Sequence, residues 1–201
     1  MTVGENSVSL SQETNYPWSG DIKITVSPEA TAVFGIKLRV PGWCKGAEVK
    51  VNGKATDVAA NINKGYIKIE REWKAGDLIE LILPMPVQRI YSHPDVKQDI
   101  GLIALKRGPI VYCLEQVDND VPLHRIVMPG DSEFETEFHP DLLGGVVLIK
   151  ANALCLEDRS WEHRLYGDTP PTTKQCKITA IPYYAWDNRE PGAMEVWIRE
   201  I

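Results

Sequence analysis

The chain has 201 residues with 22 Lys and Arg against 28 Asp and Glu, a formal charge of -6 and a pI near 5.3. That length suffices for one large or two smaller β domains with cores of their own, and the acidic balance argues against a nucleic-acid partner. No stretch approaches the apolar length of a membrane span, and the opening MTVGENSVSLSQETN has neither the basic flank nor the apolar run of a signal peptide.

Taken in order, residues 8–13 and 21–27 alternate apolar and polar through Val8 and Leu10, then Ile22, Ile24 and Val26. This is the period of strands with one wet face. Pro17 and Gly20 make the turn between them, and Trp18 there is either a lid over a sandwich end, the favoured reading, or an exposed aromatic. Residues 34–40 alternate again and stop at Pro41 and Gly42. Asn52-Gly53 is the strongest hairpin signal in the chain, because both residues accept the positive φ that a two-residue turn needs. A return edge is predicted over 55–58. Strands over 65–70 and 77–83 follow, joined by a turn with Trp73 at its mouth, and Pro84 and Pro86 end the run. Strand and turn signals this dense predict a β-sandwich over residues 1–92.

His93-Pro94-Asp95 reads as a linker, with the domain boundary placed somewhere in 93–106. The next stretch, GLIALKRGPIVYCLE at 101–115, is two short apolar runs around a Gly-Pro break, which predicts two buried strands with a kink at a strand start or bulge. Beyond a polar segment at 116–122, strands are predicted over 123–128 and 142–151, the latter with a bulge at Gly144-Gly145. Glu133, Glu135 and Glu137 alternate with Phe134, Thr136 and Phe138, giving one acidic face. Residues 156–175 form a long polar loop, a length associated with function or disorder. Two last strands over 176–184 and 193–198 complete a second domain, 93–201. The fold class expected is all-β, two β-sandwich domains of jelly-roll or Ig-like type in tandem.

Sites for chemistry are sparse. The four cysteines, Cys44, Cys113, Cys155 and Cys176, never occur as CxxC, and the histidines at 93, 124, 139 and 163 lack metal-ligand spacing. No nucleophile motif or phosphate loop is present. Cys113, between Tyr112 and Leu114 on an apolar strand, reads as a buried hydrophobe. No catalytic residue, metal ligand or cofactor is assigned. The acidic alternation reads as a solvated edge, with weak Ca²⁺ binding as the alternative. A small enzyme site in the 156–175 loop would require His163, Asp158 and Glu135 to share a cleft.

The stretches GLIALKRGPIVYCLE and ITAIPYYAWDNREPGAMEVWI (178–198), with VSLSQETNYPWSGDIKITV, LRVPGWC and GYIKIEREWKAGD, resemble the C-terminal part of glycoside hydrolase family 127, the β-L-arabinofuranosidase family of bacteria. The resemblance covers nearly the whole chain. It implies a parent protein with an N-terminal (α/α)6 barrel that cleaves glycosides through a zinc-bound thiolate, its metal held by a Glu and further cysteines that include an adjacent Cys-Cys pair. This sequence has no such pair, so none of those residues carries over. The implied role is an accessory region bracing the catalytic barrel and contributing to subunit contacts, with a homo-oligomer and carbohydrate as further partners. Trp18, Tyr183, Trp186 and Arg189 are the candidates for a domain interface or sugar contact. A chain of this kind is expected to be soluble, and its compartment, cytoplasmic or exported, stays open.

Overall fold

A computed structural model describes residues 1–158, 161 and 164–201, and the chain divides into two units, Met1–Pro86 and Val87–Ile201. The division precedes the expected boundary at 92/93, because Val87 to Ile90 pair antiparallel with Arg107 to Ala104 and so belong to the second unit.

The first unit holds β1 (Thr2–Val3), β2 (Asn6–Thr14), β3 (Asp21–Pro28), β4 (Ala32–Arg39), β5 (Glu48–Val51), β6 (Lys54–Thr56), a one-turn helix α1 (Val58–Asn61), β7 (Ile62–Asn63), β8 (Tyr66–Trp73) and β9 (Asp77–Ile82). Six strands form one sheet in the order β1-β2-β3-β9-β5-β6, and three form another, β4-β8-β7. Side chains of both sheets meet in one core: Val26, Val49, Val51, Ile79 and Leu81 from the larger, Leu38, Ile67, Ile69 and Trp73 from the smaller. In β8 the alternation is plain, since Ile67 and Ile69 are buried while Tyr66, Lys68 and Glu70 are exposed. Each such side chain removed from water contributes about 1.5–3 kcal/mol before chain entropy is set against it.

Trp73 ends β8 directly ahead of the turn to β9, where the sequence placed it, and is fully buried, with its indole N–H donating to the Phe34 carbonyl at 2.9 Å. One local expectation changes here. The return edge stops at Thr56, because the Asp57 side chain accepts the Ala60 N–H at 3.1 Å and caps α1. Asn52 and Gly53 do form the two-residue turn between β5 and β6, at φ 51° and 76°.

The second unit contains β10 (Val87–Ile90), β11 (Leu102–Arg107), β12 (Ile110–Glu115), β13 (Ile126–Met128), β14 (Phe134–His139), β15 (Val146–Leu156), β16 (Thr173–Pro182), β17 (Met194–Glu195) and β18 (Trp197–Glu200). They make one nine-stranded sheet, and it closes: β11 pairs with β18, β18 with β13, β13 with β15, β15 with β16, β16 with β12, and β12 with β11. Six strands thus form a barrel in place of two facing sheets, and closure removes the edges that a sandwich must protect. Strands β10, β14 and β17 attach outside the ring, on β11, β15 and β12. The Gly108-Pro109 break is the β11–β12 turn itself, with Arg107 opposite Ile110 and Gly108 at φ 56°. Gly144 and Gly145 likewise lie in the turn before β15, not in a bulge within it. Residues 123–125 form a 3-10 turn ahead of β13.

Candidate functional site

Strand β12 ends on Glu115, and the chain that leaves β16 at Pro182 returns as β17 beside it, with Glu115 opposite Met194. Residues 183–193 therefore loop past the end of β12. Arg189 lies in that loop and binds two acids from the other segment. Its Nη1 donates to Asp118 Oδ1 at 2.7 Å, and its Nη2 reaches both Asp118 Oδ2 and Glu115 Oε2. Glu115 Oε1 accepts the Asp187 backbone N–H at 2.8 Å. The three side chains are 19%, 7% and 16% exposed for Arg189, Glu115 and Asp118. The Asp118 hydrogen bonds, and then those of Glu115, hold the guanidinium above its ordinary range against the opposing effect of burial. A planar fork with five donors suits this bidentate task, which an ammonium could not perform.

Asn119 extends the knot. It is 4% exposed, and its amide donates to the Glu115 and Thr179 carbonyls at 2.7 and 3.1 Å while accepting the Thr179 N–H at 3.1 Å. Beside this buried network stands an aromatic step. The rings of Tyr183 and Trp186 stack with centroids 6.5 Å apart and 18° between planes. Tyr183, Tyr184 and Trp186 are 43%, 63% and 37% exposed, and Asn188 steadies the turn beneath them by donating to the Ala185 and Trp186 carbonyls. The carboxylates are saturated by guanidinium and backbone donors, whereas the aromatics face outward. The arrangement is suited to presenting a rigid apolar edge.

Tyr183, Trp186 and Arg189, three of the four residues singled out from sequence, thus share one site. Trp18 belongs to the first unit, half-buried in the turn before β3, where its N–H donates to the Asn15 carbonyl at 2.8 Å. Glu115, Asp118 and Asn119 were missed. The available signal was a carboxylate closing an apolar strand, directly followed by QVDND.

The other candidates resolve differently. Glu137 is bonded by Lys150 and lies 3.2 Å from His139, which together hold its carboxyl below the usual range, and Glu135 faces Lys150 across the β14–β15 ladder. A groove of about 670 Å³ runs along this face between Glu133, Glu135, Lys150, Asn152, Lys177 and Thr179. Asp158 is paired with Arg125 at 3.0 Å, and His163 lies outside the described residues. All four cysteines are free thiols. Burial pushes the Cys113 thiol up to about 12, with the Glu115 and Asp118 charges adding to the effect. Cys155 and Cys176 lie on the neighbouring strands β15 and β16. Among the described residues no three His, Cys, Asp or Glu side chains converge on a point that could hold an ion. This donor set does not fit the zinc-thiolate centre that the resemblance implies for a parent enzyme.

Residues 1–85 match the family model described as β-L-arabinofuranosidase, GH127 middle domain, and residues 87–199 match the glycoside hydrolase family 127 C-terminal domain. The chain is 34% identical over 205 aligned residues to the non-reducing end β-L-arabinofuranosidase of Bifidobacterium longum subsp. longum, covering 96% of this chain and 30% of that protein. Among solved structures it superposes on Ara127N, a GH127 β-L-arabinofuranosidase from Geobacillus stearothermophilus T6, with a TM-score of 0.97 and 48% identity, over 100% of this chain and 32% of that one. The GH127 β-arabinofuranosidase BT3674 gives a TM-score of 0.87 at 34% identity, over 100% and 33%. The chain spans about a third of the length of these relatives.

Proposed function

The chain belongs to glycoside hydrolase family 127, whose middle and C-terminal domains it carries, and from that premise we propose that its two β units are a non-catalytic accessory region of a β-L-arabinofuranosidase-like enzyme. They brace a catalytic barrel and contribute to subunit contacts, and they need no cofactor of their own. In this reading the first unit, with two sheets sharing one core, is a β-sandwich, and the closed second unit does the corresponding work as a barrel. The observation that carries the proposal is the pairing of a buried Arg189–Glu115–Asp118 knot with an exposed Tyr183–Trp186 step. A buried ion-pair knot that also takes a backbone N–H, as Glu115 does from Asp187, ties down the loop, and exposed aromatics on a fixed backbone are what protein interfaces select.

The purified chain is expected to leave p-nitrophenyl β-L-arabinofuranoside intact with or without added Zn²⁺. In sedimentation velocity it should associate with the separately expressed N-terminal part of the Geobacillus enzyme, and Tyr184→Ala with Trp186→Ala should weaken that complex. Turnover that chelation abolishes would overturn the proposal.

A second reading rests on the same stacked pair: an aromatic step of this size can pack against the apolar face of a sugar ring, making the unit a binding module for arabinose-containing glycans. Calorimetry against neutral arabino-oligosaccharides separates the two, because only this reading expects heat that Trp186→Ala removes.

A further inference from the structure

The outer face of the three-stranded sheet in the first unit carries charge that the fold does not use. Alternation along β4 and β8 turns Lys37, Arg39, Tyr66 and Lys68 outward, opposite the core residues Leu38, Ile67 and Ile69. In the ladder Lys37 stands directly across from Lys68, and Arg39 across from Tyr66. Like charges facing each other across two strands repel, so this pairing weakens the sheet it belongs to. The first unit has ten Lys and Arg and ten Asp and Glu, whereas the second has twelve and eighteen, so the whole of the -6 lies beyond Pro86. Three cations around one tyrosine are therefore a local concentration within a unit of zero net charge.

Lys64 adds an independent sign. It is the first residue of the two-residue turn between β7 and β8, with Asn63 opposite Tyr66, and it adopts φ 48° ahead of Gly65 at φ 78°. That position favours Gly, Asn or Asp, and a lysine there occupies strained backbone. Strain of this kind is retained where the side chain it presents has a use. Lys37, Asn63, Lys64, Tyr66 and Lys68 line a groove of about 490 Å³. The Arg39 guanidinium sits 5.3 Å from the centre of the Tyr66 ring, and Tyr66 as a whole remains 42% exposed. Lys68 reaches Glu70, so one cation is partly neutralised, while Lys37 and Lys64 have no ion-pair partner among the described residues.

We infer that this groove is a binding subsite for an acidic oligosaccharide, a short chain of uronic acid units. The Tyr66 ring takes the C–H face of one sugar, the Asn63 amide a hydroxyl, and the ammonium groups of Lys37, Lys64 and Lys68 the carboxylates. Ammonium groups act here as point charges and bring no fork geometry, which suits carboxylates repeating along a chain. A groove with one aromatic ring in its lining fits a saccharide better than the flat surface of an acidic protein. The inference is independent of the bracing role, since it concerns another unit and another ligand.

The test is calorimetry on the 201-residue chain with a trimeric oligogalacturonide, a neutral arabino-oligosaccharide of equal length and inorganic phosphate, at 20 and 200 mM NaCl. Binding of the oligogalacturonide is expected with a dissociation constant below about 1 mM, weakened at least 5-fold by the added salt because the lysines are exposed. Lys64→Asn is the decisive variant, since Asn suits positive φ and should raise the melting temperature slightly while weakening binding about 5-fold. Lys37→Thr, a strand-favouring change, should weaken it by a similar factor. No heat with oligogalacturonide at 10 mM overturns the inference. So does equal affinity for the neutral sugar or for phosphate, or an affinity unmoved by Lys64→Asn. Concentration-dependent self-association that Lys64→Asn abolishes, in a chain that ignores the oligogalacturonide, would also overturn it and assign the face to a second copy.

Discussion

Arg189 is the residue whose removal should cost the second unit most. Its guanidinium is 19% exposed and serves carboxylates that are 7% and 16% exposed, so Arg189→Met strands two charges in a poorly hydrated place. Removing one partner of a buried pair costs about 3–5 kcal/mol, because the charge left behind is uncompensated. At roughly 4 °C per kcal/mol for a domain of this size, the melting transition of the second unit should fall by about 12–20 °C in scanning calorimetry. Arg189→Lys keeps the charge but loses the fork, and should fall between the two. The triple change Arg189→Met, Glu115→Gln, Asp118→Asn removes every charge together and should recover much of the loss, which tests coupling and not mere damage. Trp186, in the same loop, should report the loosening by fluorescence. A transition within about 3 °C of the parent in Arg189→Met, or a triple variant as unstable as the single, would refute the assignment of the knot as the structural anchor of residues 183–193.

Other consequences are as direct. A Cβ on Gly20 would lie 1.8 Å from the Leu83 carbonyl oxygen, whereas one on Gly42 would meet nothing within 4 Å; Gly20→Ala should cost about 3 kcal/mol or more by urea denaturation and Gly42→Ala should leave the midpoint in place. Asp77 accepts the Lys74 backbone N–H at 2.9 Å and the Asn52 amide at 2.8 Å, and the former contributes most to holding its carboxyl below the usual range. A depressed folded-state value gives stability that is present above the unfolded value near ~3.9 and is lost as pH falls through the folded one. Asp77→Asn should therefore destabilise by about 1 kcal/mol at pH 7, and the difference should close in thermal melts as pH falls below the ordinary carboxylate range. With its thiol pushed up to about 12, Cys113 is ionised to roughly one part in ten thousand at pH 8, so iodoacetamide should label it only after denaturation, as read by mass spectrometry. Labelling of Cys113 in the native chain at the rate of a free thiol would contradict its burial.

The sequence alone determined most of the longer strands, the Asn52-Gly53 turn and the acidic alternation at Glu133, Glu135 and Glu137, because each follows from steric and solvent effects acting within a few residues. Which face of a strand is wet can be read from period 2 without knowing its neighbours. Only the tertiary structure decided that β18 lies parallel to β13 and that the ring closes, since these pairings join segments far apart in sequence and depend on all six strands together. The same holds at the site. Tyr183, Trp186 and Arg189 could be named as interface candidates from the family resemblance, but nothing local marks Glu115 and Asp118 as the acids that Arg189 selects more than 70 residues away. A charge in water carries no preference for a distant partner. That preference appears only when burial lowers the local dielectric and makes an unpaired charge costly, and burial is a property of the folded barrel.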